Sequence, residues 1–196
     1  MNNLFPLLLF CLSTTLTPGP NNFLLMNSGL NHGIRKSLSH YLGICIGFPL
    51  MVLLVSLGFG ELFKQHLWIK HLLKIMGSAY MLYLAYQILF SLSKPKNSES
   101  IKPFSFIQAV LFQWINPKAW LMVISASSIF SLTTNYIHNA IIISMVFLLV
   151  GLPCIGSWLV GGAYLRQLLK NAKQQKIFNI LMALCLIASI ILIFLD

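Results

Sequence analysis

Two short segments interrupt apolar stretches with prolines and asparagines, and both are suited to binding a small charged molecule. The first reads Thr-Pro-Gly-Pro-Asn-Asn over residues 17–22, and the second reads Asn-Pro-Lys over residues 116–118. Because proline lacks the amide hydrogen that continues a helix, each segment predicts a helix break. The half-helix after a break presents free backbone amides and a partial positive charge of about +0.5 at its start. Such an end favours a carboxylate.

We predict that the first break separates a half-helix ending near Thr17 from one starting near Asn21 or Asn22, since asparagine is a good N-cap. Asn116 can cap the half-helix after the second break. The candidate substrate-binding residues are the members of these two segments: Thr17, Pro18, Gly19, Pro20, Asn21, Asn22, Asn116, Pro117 and Lys118. The alternative is an ordinary proline kink that neighbouring helices repair. Two breaks, both flanked by asparagine, favour a site.

Lys118 is the one ionisable residue well inside a long apolar stretch. A charge in the middle of a bilayer costs about 2.5–3.5 kcal/mol on insertion scales. The functional interpretation is that Lys118 pairs with a substrate carboxylate or balances the charge of a coupling ion. Alternatively, residues 104–116 form a tilted or interfacial half-helix, and the lysine side chain reaches the cytoplasmic surface.

Other polar and small residues have weaker assignments. Tyr80, Tyr83, Gln87 and Gln113 are candidate cavity-lining residues, although an interface belt or helix packing explains the tyrosines equally well. Two pairs of small residues spaced four apart predict close helix packing, within the fold or between subunits: Gly43, Gly47, Ser157 and Gly161. The five histidines fall near the ends of the apolar stretches, where we interpret them as interface residues.

The composition indicates that lipid is the solvent for most of the chain. Among 196 residues, 58% are hydrophobic and 8% are charged, and the mean hydropathy is +0.83. So few charged side chains cannot cover a soluble globule of this size. The net charge of +10 does not predict nucleic-acid binding, because the basic residues form short clusters rather than a continuous face. The four cysteines form no CxxC motif, so neither a metal nor a cofactor is predicted.

Six apolar stretches are long enough to cross a bilayer: residues 4–30, 38–60, 67–92, 104–130, 138–160 and 177–195. Nine lysines and arginines lie in the connections at 31–37, 93–103 and 161–176, against three in the connection at 61–74. Because cytoplasmic loops are enriched in basic residues, the nine mark the cytoplasmic side, and both termini are predicted outside.

The spacing predicts two related halves. Pro18 and Pro117 are 99 residues apart, and the second and fifth stretches start 100 residues apart. Since each half has three spans, the halves enter the membrane in opposite directions, as in many secondary transporters. We therefore predict an all-α integral membrane protein with six transmembrane helices, arranged as two inverted-topology three-helix repeats with broken helices 1 and 4. A single membrane domain covers 1–196, with repeats at about 1–92 and 104–196 and a cytoplasmic loop at 93–103.

Transport fits these features better than other classes of function. A membrane-embedded enzyme needs a catalytic constellation, and with three acidic residues and no HExxH motif none can be assembled. The sequence has no Walker motif, which agrees with transport that does not use ATP. A passive channel or a non-transporting membrane subunit is the alternative, although a channel favours continuous pore helices or a ring of charge.

The sequence resembles the LysE-type amino-acid exporters, a family that includes the homoserine/threonine and neutral amino-acid exporters. The similarity lies in TPGPNNFLLMNSGLNHG at the first break, in GSAYMLYLAYQ at 77–87 and in NPKAW at 116–120. Details of the second and fourth spans look most like the cysteine/O-acetylserine exporter branch.

This resemblance implies secondary export of amino acids across a bacterial cytoplasmic membrane, coupled to protons and working by alternating access. Small neutral amino acids are favoured, because the spans offer no acidic residue to a cationic one. The expected partners are an amino acid, H⁺ and the lipid bilayer, and the glycine-bearing faces permit a homodimer. Many members have an aspartate after the second glycine of span two, where this chain has Phe48. An aspartate there would be the obvious proton carrier, so the residue that carries the coupling ion is left open.

Overall fold

The computed structural model describes residues 4–59, 66–90, 102–130, 136–169 and 171–195. Within these ranges the regular structure is helical, which confirms the predicted all-α class. The described chain forms seven α-helices in this order: α1 (Leu4–Leu16), α2 (Pro20–Leu54), α3 (Leu67–Phe90), α4 (Phe106–Ile115), α5 (Pro117–Phe130), α6 (Tyr136–Leu168) and α7 (Ala172–Leu195). A π-helical turn, Val55–Phe59, continues α2.

The first proline segment interrupts a helix, as predicted. The helix α1 ends at Leu16, next to the predicted end, and α2 begins at Pro20. The prediction that Asn21 or Asn22 caps α2 is wrong. The N-cap is Gly19, because the fixed φ of Pro20 already suits the first helical position.

The second proline segment gives a tighter break, also at the predicted place. The helix α4 ends at Ile115 and α5 begins at Pro117, so Asn116 alone separates the two helices. Asn116 caps α5 as the sequence predicts, because its Oδ1 accepts a hydrogen bond of 3.2 Å from the amide of Lys118. The two breaks therefore differ in length, with three residues outside helices at the first and one at the second.

The long helix α2 is folded back on itself. At Gly33 the backbone has a φ of 78°, a conformation that side chains other than glycine rarely adopt. Ser28 Oγ and His40 Nδ1 lie 3.1 Å apart, whereas a straight helix separates residues twelve positions apart by about 18 Å. The first limb (20–32) and the second limb (34–54) thus form a helical hairpin. The turn falls inside the predicted connection at 31–37, but Gly33 alone makes it and the neighbouring residues remain helical.

Four helical segments of the described chain are long and apolar enough to cross a bilayer: Pro20–Gly58, His71–Leu89, Ile137–Leu168 and Lys173–Ile191. The helices α1 and α4 are apolar but shorter, at 13 and 10 residues. Several membrane helices are therefore supported, but the predicted count of six is not established.

The connection between the last two helices is shorter than the predicted segment 161–176. The helix α6 continues to Leu168, and α7 already begins at Ala172. The predicted cytoplasmic loop at 93–103 lies almost wholly outside the described residues, which resume at residue 102. Its position relative to the membrane therefore stays a prediction.

The α2 hairpin is the centre of the packing. It packs most extensively against α6 and next against α4, while α3 packs on α7 and α1 on α6. A Cβ added at Gly43 would lie 2.6 Å from Ala109 Cβ, and one added at Gly47 would lie 2.7 Å from Val110 Cα. Glycine at these two positions therefore lets the second limb approach α4 closely, and this contact lies within the chain.

The second predicted packing pair is placed differently. A Cβ added at Gly161 would meet nothing within 4 Å in the described part of the chain. The close approach occurs instead at Gly162, where an added Cβ would lie 2.1 Å from the carbonyl oxygen of Met26. Ser157 Oγ donates to the carbonyl of Cys154 on its own helix at 2.7 Å. The sequence-based prediction of close packing at Gly161 was therefore one residue away from Gly162, the glycine that makes the close contact within the fold.

The outward faces of the helices are apolar. On the second limb, four large side chains recur every fourth residue and are each at least 41% exposed: Leu38, Leu42, Ile46 and Leu50. A soluble monomer rarely exposes so large a contiguous apolar patch. In a bilayer the same face contacts lipid, so these helices belong to a membrane protein.

Candidate functional site

The end of α1 has its carbonyl groups satisfied by two side chains from beyond the break. Asn22 Nδ2 donates to the carbonyl oxygens of Thr15 at 3.0 Å and Thr17 at 2.9 Å. Lys118 Nζ donates to the carbonyl of Thr17, to Thr17 Oγ1 at 2.9 Å and to the carbonyl of Pro18 at 3.3 Å. A cation at this position also offsets the partial negative charge at a helix C-terminus. The Lys118 amine is therefore held at the first break, although its backbone belongs to the second.

Gly19 leaves the space that the Lys118 side chain occupies. A Cβ added at residue 19 would lie 2.5 Å from Cδ of Lys118 and 3.3 Å from its amine nitrogen. The backbone of Gly19 is extended, with a φ of −178°, so any residue could adopt its conformation. Glycine is therefore needed for room rather than for its backbone freedom, and a larger residue would displace the lysine from the end of α1.

The start of α2 is left open. No side chain of the described residues caps this N-terminus. Pro20 has no amide hydrogen, and the amides of Asn21 and Asn22 belong to the first turn, whose donors find no partner inside a helix. The amide of Phe23 is bonded, to the carbonyl of Gly19 at 2.9 Å. Two amide donors and the positive end of the helix dipole are therefore available to an external acceptor.

Gln113 on α4 holds the first turn of α2 in place. Asn21 Nδ2 donates to Gln113 Oε1 at 2.7 Å, and Gln113 Nε2 donates back to Asn21 Oδ1 at 3.4 Å. Gln113 is fully buried and also donates to the carbonyl of Ala109 at 2.8 Å. The side chain of Asn21 thus serves to join two helices, and Gln113 supports the site from behind instead of lining it.

The second break is closed by its own backbone. The amide of Asn116 donates to the carbonyl of Gln113 at 3.3 Å, and the carbonyl of Asn116 accepts from the amides of Ala119 at 3.0 Å and Trp120 at 3.3 Å. Asn116 is only 2% exposed, and its side chain already caps α5. The start of α5 therefore offers a ligand less than the start of α2 does.

A cavity of about 40 Å³ adjoins both breaks. Its polar lining comes from the helix ends and consists of Thr14, Thr15, Gly19, Asn21, Asn22, Asn116 and Lys118. The remaining lining is mostly apolar and consists of Ile44, Cys45, Phe48, Pro49, Ala119, Met122, Phe147, Gly151 and Ile155. Such a volume holds roughly three water molecules. An amino acid would need the surrounding helices to move apart before it could enter.

Comparison with known proteins agrees with this architecture. A family model described as "LysE type translocator" matches residues 12–193. The chain belongs to the LysE family. The cysteine/O-acetylserine efflux protein of Salmonella typhimurium (strain LT2) is 33% identical over 187 residues, which cover 94% of this chain and 94% of that protein. The protein of the same name from Escherichia coli (strain K12) is 32% identical over 186 residues, again covering 94% of each chain. No solved structure matches.

Family membership confirms the resemblance seen in the sequence. The LysE family consists of membrane translocators, so this chain is a transporter-family protein and not an enzyme. Its relatives are bacterial efflux proteins. The break at residues 17–19 and the break at residue 116 both lie inside the matched range.

This LysE-family chain has a cavity residue that the sequence-based prediction missed. Thr15 is 7% exposed, lines the cavity, and its Oγ1 has no hydrogen-bond partner among the described residues. The adjacent Thr14 instead donates to the carbonyl of Phe10 at 2.7 Å, the usual partner for a hydroxyl inside a helix. An unpaired buried hydroxyl costs free energy, so Thr15 is suited to bind a ligand. The sequence feature that could have indicated this residue is the run of three hydroxyl-bearing residues at 13–15 in an otherwise apolar half-helix.

The aromatic residues predicted to line a cavity are packed elsewhere. Tyr80 and Tyr83 line neither the main cavity nor a second one of about 30 Å³. The ring centroid of Tyr80 lies 6.2 Å from that of Phe104 and 6.1 Å from that of Phe112. Gln87 donates a hydrogen bond to the Tyr83 hydroxyl and lines the second cavity. Helix packing, one alternative given for the tyrosines, describes the position of Tyr80, whereas Tyr83 is 52% exposed on the outer face of α3.

Two further positions bear on ion coupling. Phe48, where many LysE-family relatives are expected to have an aspartate, lines the main cavity and packs edge-on against Phe147 at a centroid distance of 5.0 Å. His40 is 1% exposed, so the interface interpretation is wrong for this histidine. It is buried because the turn at Gly33 brings the start of the second limb against the first.

Proposed function

We propose that this protein is a secondary active exporter of small neutral amino acids, of the cysteine, O-acetylserine and threonine type, in the bacterial cytoplasmic membrane. One observation carries the proposal. The backbone amides of Asn21 and Asn22, which have no partner among the described residues, lie beside a cavity that adjoins both helix breaks. The names of the related efflux proteins support the same class of cargo.

In this proposal the substrate carboxylate binds the backbone amides of Asn21 and Asn22. Carboxylates are stabilised at helix N-termini by free amides and by the helix dipole together. The ammonium group of Lys118 adds positive charge nearby, and its own hydrogen bonds keep the end of α1 in place. The binding set is therefore Thr17, Pro18, Gly19, Pro20, Asn21, Asn22, Asn116, Pro117 and Lys118, with Thr15 added by the cavity lining.

The apolar part of the lining favours a small neutral side chain. The three acidic residues of the chain are Glu61, Glu99 and Asp196, and all of them lie outside the described residues. Among the described residues that line this cavity, a cationic side chain would meet no carboxylate, and burying an unpaired charge is expensive. Apolar neighbours such as Phe48 and Met122 instead suit a short, uncharged side chain.

Transport follows from alternating access between two inverted halves that together form six spans, with both termini outside the cytoplasm. The small volume of the cavity supports a mechanism in which the helices must separate to admit and release the substrate. Movement of one net charge across 100 mV supplies about 2.3 kcal/mol, which corresponds to roughly a fiftyfold concentration gradient. A proton-driven exporter can therefore maintain a concentration gradient of this size without ATP. The glycine-bearing faces also permit a homodimer.

A panel of labelled amino acids in everted membrane vesicles tests the proposal. Uptake into such vesicles corresponds to export from the cell. We expect uptake of cysteine, O-acetylserine or threonine to saturate with concentration and to increase when a pH gradient is imposed. Vesicles without the protein provide the background. Lysine and glutamate are expected to remain near that background.

Two outcomes would contradict the proposal. Background uptake of every amino acid on the panel would exclude an amino-acid exporter. Uptake that rises linearly with concentration and ignores the pH gradient would instead favour the passive channel.

A further inference from the structure

A second cavity of about 30 Å³ lies toward the turn at Gly33 and shares no lining residue with the main cavity. Its polar lining consists of Asn27, Ser28, His32, His40, Gln87 and Lys102. Asn27 joins this lining to α7, because its Nδ2 donates a hydrogen bond to Asn179 Oδ1 at 3.0 Å. Buried polar groups are costly unless they are paired, so this cavity needs an explanation.

His40 is the titratable group at the centre of this polar cluster. Its Nδ1 lies 3.1 Å from Ser28 Oγ. Its Nε2 is buried and has no hydrogen-bond partner among the described residues. In the tautomer that donates Nδ1–H to Ser28, Nε2 is the basic nitrogen and the place where one proton can add. Protonation then gives an imidazolium whose Nδ1–H remains bonded to the serine.

Among the described residues, few groups suit this task. No aspartate or glutamate lies within the described ranges. Histidine is the side chain whose charge ordinarily changes between pH 5 and 8. Among the histidines, His40 is the one described as fully buried, whereas His71 is exposed on α3.

We propose that His40 binds and releases the coupling proton, through Nε2, in exchange for the outward movement of the amino acid. This inference rests on the proposed exporter function and deepens it. One proton from the outer side adds to Nε2, and the same proton leaves to cytoplasmic water after the substrate has been released outside.

The helix α4 connects this proton site to the substrate site. Phe104, just before α4, covers the imidazole with ring centroids 4.9 Å apart. At the other end of the same ten-residue helix, Gln113 bonds the Asn21 side chain at the start of α2. A capping box at Ser105 fixes the first turn of α4, so the helix can move as a unit. Movement that uncovers His40 therefore also shifts the support of the substrate-binding amides.

The charges around His40 favour release of the proton once the cavity opens. Lys102 contributes a cation to the lining, and His32 lines the same cavity from the first limb. Arg166 of α6 lies at the turn, with Nη1 3.3 Å from the position of a Cβ at Gly33. The residues that α3 and α7 bring to this cluster, Gln87 and Asn179, are uncharged. Positive neighbours oppose an imidazolium, so they favour loss of its proton once the cavity opens to cytoplasmic water.

The test uses purified full-length protein in proteoliposomes and radiolabelled cysteine kept reduced. Two assays are compared: accumulation driven by an imposed pH gradient, and exchange of internal for external cysteine without a gradient. In the His40→Gln variant, we expect the accumulation driven by the pH gradient to fall at least about tenfold, while exchange continues. The matched control His71→Gln, changed at an exposed histidine, is expected to behave as the unchanged protein does.

A second variant, Ser28→Ala, keeps the imidazole and removes its partner. Since an imidazolium must donate at Nδ1, loss of the serine oxygen should move the midpoint of the pH profile for driven accumulation to lower pH by about one unit. If His40→Gln stops exchange as well, the pH profile of Ser28→Ala becomes the deciding measurement. An unchanged midpoint in that profile then overturns the proposal. Driven accumulation that survives in His40→Gln also overturns it. If the unchanged protein exchanges cysteine but ignores the gradient, proton coupling fails while the exporter proposal stands; if it does neither, both proposals fail.

Discussion

The two helix breaks look equivalent in sequence but are built for different tasks. At residues 17–19 the chain leaves the start of α2 uncapped. Asn22 and the distant Lys118 satisfy the carbonyls of Thr15, Thr17 and Pro18 at this break. At residue 116 a single asparagine closes the break with its own backbone and side chain. The first break therefore leaves the first-turn amides of α2 without a partner among the described residues, whereas the second is closed by its own hydrogen bonds and positions Lys118 at the first.

This asymmetry shows two ways in which unwound backbone can be accommodated between apolar helices. Each unsatisfied polar group in hydrocarbon costs several kcal/mol, so exposed groups must be paired or must face a cavity. The second break meets this condition by pairing. The first pairs its carbonyls and leaves the first-turn amides of α2 beside the cavity, where we propose that the substrate binds.

The largest effect is expected from removing the first break. The double variant Pro18→Ala with Pro20→Ala restores two amide hydrogens and favours one continuous helix, so export should fall to the level of vesicles without the protein. Pro117→Ala should reduce export less, because Asn116 still closes the second break. Membrane insertion is checked by blotting of the vesicles. Normal export in the double variant would contradict an open site at the first break.

Replacing the charge that joins the breaks should have the next largest effect. Lys118→Gln removes the cation from the end of α1, and hydrogen bonds of charged groups contribute about 1.5–3 kcal/mol. We expect the KM for export to rise about tenfold to a hundredfold, or turnover to stop. The exposed Lys173 provides a matched control as Lys173→Gln. Unchanged kinetics in Lys118→Gln would show that its bonds to Thr17 and Pro18 do not matter for transport.

The two asparagines separate binding from support. Asn22→Ala leaves the carbonyls of Thr15 and Thr17 without their side-chain donor, and we expect the KM to rise about tenfold. Asn116→Ala removes an N-cap, which should lower the stability by about 1 kcal/mol and affect the KM less. Thermal unfolding in detergent and initial rates of export measure the two effects. Equal changes in KM would remove the distinction between the breaks.

The smallest effect is expected at the unpaired hydroxyl. Thr15→Val keeps the shape of the side chain and removes its hydrogen-bonding group. The KM for export of the preferred substrate should therefore rise about threefold to tenfold. Thr14→Val is the matched control, because the Thr14 hydroxyl bonds its own helix. A Thr15→Val variant that transports with the original KM would show that the hydroxyl does not contact the substrate.

Local chemistry in the sequence was enough to locate both breaks, because proline acts on the backbone regardless of what packs around it. The difference between the breaks was not visible there, since it depends on contacts between residues about a hundred positions apart, such as Lys118 with Thr17. The turn at Gly33 was hidden as well. Its polar, basic neighbours have the composition of a loop, although the chain remains helical on both sides. Without that turn, the burial of His40 could not be foreseen.

The most direct test of the open first break is a structure of the protein determined by electron cryomicroscopy in nanodiscs with cysteine present. We predict that the cysteine carboxylate lies within hydrogen-bond distance, about 2.7–3.2 Å, of the backbone nitrogens of Asn21 and Asn22. Cysteine bound at the start of α5, or bound elsewhere while the first turn of α2 stays unoccupied, would contradict the account.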